Sequence, residues 1–146
     1  MNANSQMRFS HEKLNVYQKA IEFVSWTQEL IESLPSKVSV RDQLDRASTS
    51  IPLNIAEGNV KVSNKDRARF WQIANGSAVE CAACLDVIVA RRLKALDEVE
   101  EGKVLLARIS SMLFALLKRF NSVVIEEERV EYGKAFGIDD EDEDGR

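Results

Sequence analysis

Proline, glycine and cysteine are scarce in this 146-residue chain: two, six and two, beside a single histidine. So few breakers suit long helices better than a turn-rich β architecture. No run of about 20 apolar residues is present, so no membrane span is expected. The opening segment, residues 1–7, lacks the charged-then-apolar order of a signal peptide. Two cysteines without an export signal point to a reducing cytoplasm. Also missing are a glycine-rich phosphate loop, a metal-ligand cluster, a triad-like set and the paired E-x-x-H carboxylates of di-iron bundles. These absences argue against an enzyme: no catalytic residue, cofactor, metal or small-molecule substrate is expected.

What is present is 45% apolar and 30% charged, the balance of a helical bundle rather than of a disordered chain. One domain of this length buries about 70% of its unfolded surface. The net charge of −4 conceals a division. Residues 126–146 carry ten acids against three bases, whereas residues 1–125 carry fourteen against seventeen. The expected organisation is a flexible 1–9, a mildly basic bundle over 10–125, and an acidic, disordered tail over 126–146.

Periodicity places four helices. Ser10 is a candidate cap for the first, with Phe9 and Leu14 at the spacing of a hydrophobic staple, and the helix runs to Leu34 before Pro35. The second spans about Val38–Glu57, with Gly58 past its end. Its Leu44, Ala47, Ser48, Ile51 and Ile55 share one face, and Pro52 interrupts them at a cost of roughly 3 kcal/mol in an ordinary helix. That cost predicts a kinked, largely buried helix. The third runs from Asn64 to about Leu93 behind a Ser63 cap, with Phe70, Ile73, Ala74, Ser77, Cys81, Cys84 and Ile88 on its core face. Gly76 is read there as a seat for close helix packing. The fourth starts near Asp97 and ends near Val124. Short turns between them predict an all-α, antiparallel up-down-up-down four-helix bundle.

Several residues are candidates for more than structure. Helix 1 carries two apolar stripes over an arc of roughly 240°, more than one core needs. Phe23, Trp26 and Leu30, in the second stripe, are read as a homo-oligomer interface; the alternative is a helix sandwiched between two neighbours of its own chain. Arg46, Ser50, Asn54 and Glu57 form a polar row on helix 2, and Arg46 is the expected ion-pair partner of Glu80 on helix 3. Lys61, Lys65, Arg67 and Arg69 crowd one end of helix 3, and Arg91, Arg92 and Lys94 the other, so RNA or DNA is a partner to test. Cys81-Ala-Ala-Cys84 has a redox spacing but lies mid-helix on a core face, where packing is the simpler role. His11 is expected to be an exposed residue of the capping region.

Gln43-Leu44-x-Arg46-Ala47-x-x-Ser50-Ile51-Pro52-x-Asn54-Ile55-Ala56-Glu57-Gly58 resembles the signature of bacterial four-helix-bundle proteins encoded within intervening sequences of 23S ribosomal RNA genes. Phe70-x-x-Ile73-Ala74-x-Gly76-Ser77-Ala78-x-Glu80 matches their second motif, and Leu14-x-Val16-Tyr17-Gln18-Lys19-Ala20 their opening. The resemblance covers roughly residues 9–120. It implies a bundle that forms a homopentamer, with no enzymatic activity. The chain is also distantly similar to accessory proteins of diversity-generating retroelements, which partner a reverse transcriptase and bind nucleic acid.

Overall fold

The computed structural model describes residues 6–136, with side-chain surroundings for residues 6–120. A 3-10 turn, Ser10–Lys13, precedes four α-helices: α1 Asn15–Ser33, α2 Ser39–Val60, α3 Asn64–Ala90 and α4 Leu96–Phe136. No strand occurs among the described residues. α2 packs against α1 and α3, and α4 packs against α3 and α1. Ser50 of α2 meets Ser77 of α3 and Ile55 meets Trp71, so residue numbers rise along one helix as they fall along the other. Asn75 with Ser110 and Asp86 with Lys103 relate α3 to α4 in the same way.

The inner faces supply one continuous core. Phe23 of α1, Leu44, Ile51 and Ile55 of α2, Leu85 and Ile88 of α3, and Ile109 and Leu113 of α4 are all fully buried. Each such side chain contributes about 1.5–3 kcal/mol by leaving water. α2 continues through Pro52, which is itself buried beside Ser48 and Ile51. Packing of that face offsets the lost backbone bond.

α2 passes the boundary expected at Glu57 and takes in Gly58. That glycine serves close approach rather than helix termination. A Cβ there would lie 2.6 Å from Nε1 of Trp71 and 3.1 Å from the Arg67 carbonyl oxygen. Gly102 of α4 plays the same part for α1, where an added Cβ would run into the ring of Trp26.

The N-terminus also departs from expectation. Glu12 folds back so that its carboxylate accepts the N–H groups of Arg8 and Phe9, which lowers its pKa. The turn therefore begins behind Phe9, and Ser10 instead accepts a hydrogen bond from the Asn59 amide at 2.7 Å. Phe9 makes no staple with Leu14; its ring stacks on His11 at 5.7 Å. His11 is half-buried, with Tyr17 edge-on at 4.7 Å on its other side.

Ser63 does cap α3, accepting from Asp66 N–H at 3.1 Å. The helix stops at Ala90, three residues early, because Arg92 takes a left-handed φ of 61°. Leu93 N–H then reaches the Ile88 carbonyl and Arg92 N–H the Val89 carbonyl, satisfying the exposed acceptors of the last turn. α4 runs past the end expected near Val124 to Phe136. Residues 126–136 are mostly good helix formers, with Gly133 the exception. The rest of the segment expected to be a disordered tail, 137–146, lies outside the described residues, as do residues 1–5 of the expected flexible N-terminus.

Gly102→Ala is expected to cost about 1–3 kcal/mol, because the added methyl displaces Trp26 from a packed seat. A urea unfolding midpoint equal to that of the parent protein would show that the ring shifts freely.

Candidate functional site

The polar row of α2 divides into two sets. Asn54 donates through Nδ2 to the Ser50 carbonyl at 2.8 Å and to Ser50 Oγ at 2.9 Å. Ser77 Oγ donates to Ser50 Oγ at 2.8 Å, which joins α2 to α3 at a buried residue. Arg46, Glu57 and Glu80 stay outside this network and are exposed. The expected Arg46–Glu80 ion pair is absent among the described residues; Glu57 instead lies 3.6 Å from Lys61. Neither Arg46 nor Glu80 is deep enough to need neutralising, so solvent takes the partner's place.

Helical spacing nevertheless gathers these residues. Arg46, Leu53 and Glu57 lie one or two turns from Ser50 along α2. Ile73, Gly76 and Glu80 lie within a turn of Ser77 along α3. Together they flank the seam that the two serines close. Leu53 is 60% exposed and Ile73 44%. Ile73 was expected in the core; the core face of α3 is instead centred on Trp71, Ala74, Ala78, Cys81 and Leu85.

The interface expected on α1 is overturned for Phe23 and Leu30, which are buried within the single chain. Trp26 is half-buried, stacked on Phe23 at 5.8 Å and seated over Gly102. α1 buries Val16, Phe23, Leu30 and Ile31 because it lies between α2 and α4, while Ile21 stays exposed. Exposed apolar surface is present on α3. By length and composition α3 is apolar enough to cross a membrane, yet only about a third of its most apolar stretch is buried. Val79 and Val87 join Ile73 on its outer side, with Gly76 and Ala83 between them. Among the described residues, no atom outside the adjoining backbone of α3 lies within 4 Å of where a Gly76 Cβ would stand, so the close packing expected there is not made by them.

The basic residues separate as well. Arg91 and Arg92 lie at the far end of α3 from Lys65, roughly 40 Å away at 1.5 Å per residue. Arg92 and Lys94 line a shallow hollow with Glu98, in the acidic turn that opens α4. The two groups do not form one surface. At the α2–α3 turn, cations and rings alternate. Lys61 Nζ and the Arg69 guanidinium lie 4.9 and 4.8 Å from the Phe70 centroid. Arg67 donates through Nε to the Lys61 carbonyl at 2.6 Å. Arg67 and Arg119 stand 5.6 and 5.1 Å from the Phe120 ring. Lys65 is exposed in the same turn. Sequence reasoning missed Phe70, Phe120 and Arg119 because helical periodicity assigned both rings to the core. The adjacent triplet Lys118-Arg119-Phe120 was the available signal.

Cys81 and Cys84 are buried free thiols. Burial pushes the Cys81 pKa up to about 12, with smaller contributions from Cys84 and Glu80, and raises Cys84 as well. Both are protonated at neutral pH and fill the core. Among the described residues no group of three His, Cys, Asp or Glu side chains is placed to hold a metal.

Residues 12–115 match the family model of the 23S rRNA-intervening sequence proteins. The chain belongs to that family. A crystal structure of a protein of unknown function from the S23 ribosomal protein family of Bacteroides thetaiotaomicron has a similar fold, with a TM-score of 0.67 at 24% identity. The likeness covers 70% of this chain and 98% of the other. No curated protein matches. The family match takes in the Ser50–Ser77 seam and the α2–α3 turn, and ends before Phe120.

Ser50→Ala is expected to cost about 1–3 kcal/mol, since it removes the acceptor of the buried Ser77 hydroxyl. Arg46→Ala and Glu80→Ala are expected to stay within about 0.5 kcal/mol of the parent. Equal losses in urea titrations of all three variants would show that Arg46 and Glu80 are structural after all.

Proposed function

We propose that this chain is a non-enzymatic, antiparallel up-down-up-down bundle whose role is to assemble with copies of itself through the outer face of α2 and α3. The supporting observation is Gly76. A mid-helix glycine costs about 1 kcal/mol relative to alanine, and here nothing among the described residues occupies the space it leaves. Gly58 and Gly102 each make room for a tryptophan, so Gly76 is the glycine whose neighbour is missing. Exposed Leu53, Ile73 and Val79 surround it with apolar surface. Arg46 and Glu80 add exposed opposite charges that do not pair with each other among the described residues. Such a face suits a second copy of itself, with Arg46 of one meeting Glu80 of the next. Five copies is the stoichiometry that the family resemblance implies.

A second reading, as an accessory protein that binds RNA or DNA beside a reverse-transcriptase-like partner, is favoured by the cations gathered at the α2–α3 turn. Lys65, Arg67, Arg69 and Arg119 have no carboxylate within ion-pair distance among the described residues. Affinity for a nucleic acid should then fall with salt, the logarithmic slope reporting the number of phosphates neutralised. A flat response in a titration from low to physiological salt would remove this reading.

For the assembly, light scattering behind size exclusion should give a mass several times that of one chain. Ile73→Asp with Val79→Asp should return it to a single chain with unchanged helicity, since both side chains are exposed in the monomer. Gly76→Ala should weaken the assembly while raising the stability of the dissociated chain. A parent protein that elutes as one chain at micromolar concentration would overturn the proposal.

A further inference from the structure

We infer that the strip Arg69–Phe70–Lys61–Arg67–Phe120–Arg119 is a binding site for single-stranded nucleic acid, with bases stacked on it and phosphates held beside it. The inference takes its partner class from the second reading above and does not depend on assembly.

Each link in the strip is a contact. Lys61 and Arg69 both place their charges within 5 Å of the Phe70 centroid. The Lys61 carbonyl accepts from Arg67 Nε, which fixes the guanidinium toward the ring of Phe120. Phe120 is held in turn by Trp71, edge-on at 5.5 Å, and has the Arg119 guanidinium 5.1 Å from its centroid. Two helices and a turn thus hold four cations against two rings. Arg69 and Arg119 are exposed, while Lys61, Arg67, Phe70 and Phe120 are half-buried, so the rings are anchored yet reachable. The only carboxylate within ion-pair distance of the four cations, among the described residues, is Glu57, 3.6 Å from Lys61 and itself exposed.

Alternating charge and flat π surface distinguishes a strand from other polyanions. A base stacks on an aromatic ring or a guanidinium plane in any sequence, and the neighbouring cation takes its phosphate. A duplex hides its base faces and would use only the charges. It is better read by a helix laid in a groove, whereas this strip runs from the α2–α3 turn across the start of α3 to the middle of α4. An acidic peptide would likewise use the charges and leave the rings idle.

The test uses the full chain and fluorescence anisotropy. The probes are a labelled mixed-sequence single-stranded RNA, its DNA counterpart, the matching duplex DNA and a poly-glutamate peptide. Both single strands should bind at least about ten-fold more tightly than the duplex or the peptide. Phe70→Leu should weaken single-strand binding by at least about five-fold and leave the duplex unchanged. Phe70→Tyr, which keeps the ring, should restore it. Arg69→Gln should weaken strand and duplex alike, and Arg91→Gln, at the opposite end of α3, should change neither. Urea midpoints of the Phe70 variants would separate lost stacking from lost fold. Equal, salt-dependent binding of strand and duplex that ignores Phe70→Leu would overturn the stacking site and leave the second reading standing. Peptide binding as tight as that of the strands would overturn the site in favour of an acidic protein partner. No binding by any nucleic acid would overturn both.

Discussion

The indole of Trp71 lies at the junction of three helices, and much of the molecule depends on the notch that receives it. Gly58 provides that notch on α2, and Nε1 donates to the Ile55 carbonyl at 3.3 Å, so the buried polar edge of the ring is satisfied. On its other flank Phe120 of α4 meets it edge-on. An alanine at position 58 would meet the ring at 2.6 Å, closer than packed atoms come, which explains why α2 carries a glycine inside its last turn. The same ring that closes the core also sets Phe120 at the surface, where Arg67 and Arg119 converge on it.

Three glycines show how far one chain can account for its own sequence. Gly58 and Gly102 each yield to a tryptophan from a neighbouring helix. Gly76 yields to nothing among the described residues, although it stands mid-helix, where alanine would be more stable. A similar imbalance appears in α3 as a whole, whose apolar residues outnumber the core positions it fills. On α1 most of both stripes is covered, Trp26 by the close approach of α4 at Gly102, and Ile21 stays exposed. Surplus apolar surface is therefore present, but on the helix diagonally opposite the one that periodicity indicated.

Charge is distributed by the same geometry. The two ends of α3 are both basic in sequence, yet one end receives the acidic first turn of α4 and the other receives Arg119 and Phe120 from its returning half. Topology thus dilutes one cluster and concentrates the other. Within the core the thiols of Cys81 and Cys84 are held protonated by burial, which makes them packing groups despite their suggestive spacing.

Local rules determined much of this. Breaker scarcity and three-to-four spacing determined an all-α chain of four helices, the buried face of α2 around Pro52, and the Ser63 cap, because each depends on residues near one another in sequence. Tertiary structure decided the rest. Whether Phe23 is covered, whether Arg46 finds Glu80, and whether Phe70 and Phe120 join one strip depend on which helix arrives alongside. A helical wheel gives the width of an apolar face but not the number of neighbours that will cover it. The glycines at 58, 76 and 102 look alike in sequence, and only the side chain that approaches each one, or fails to, separates a packing notch from an open seat.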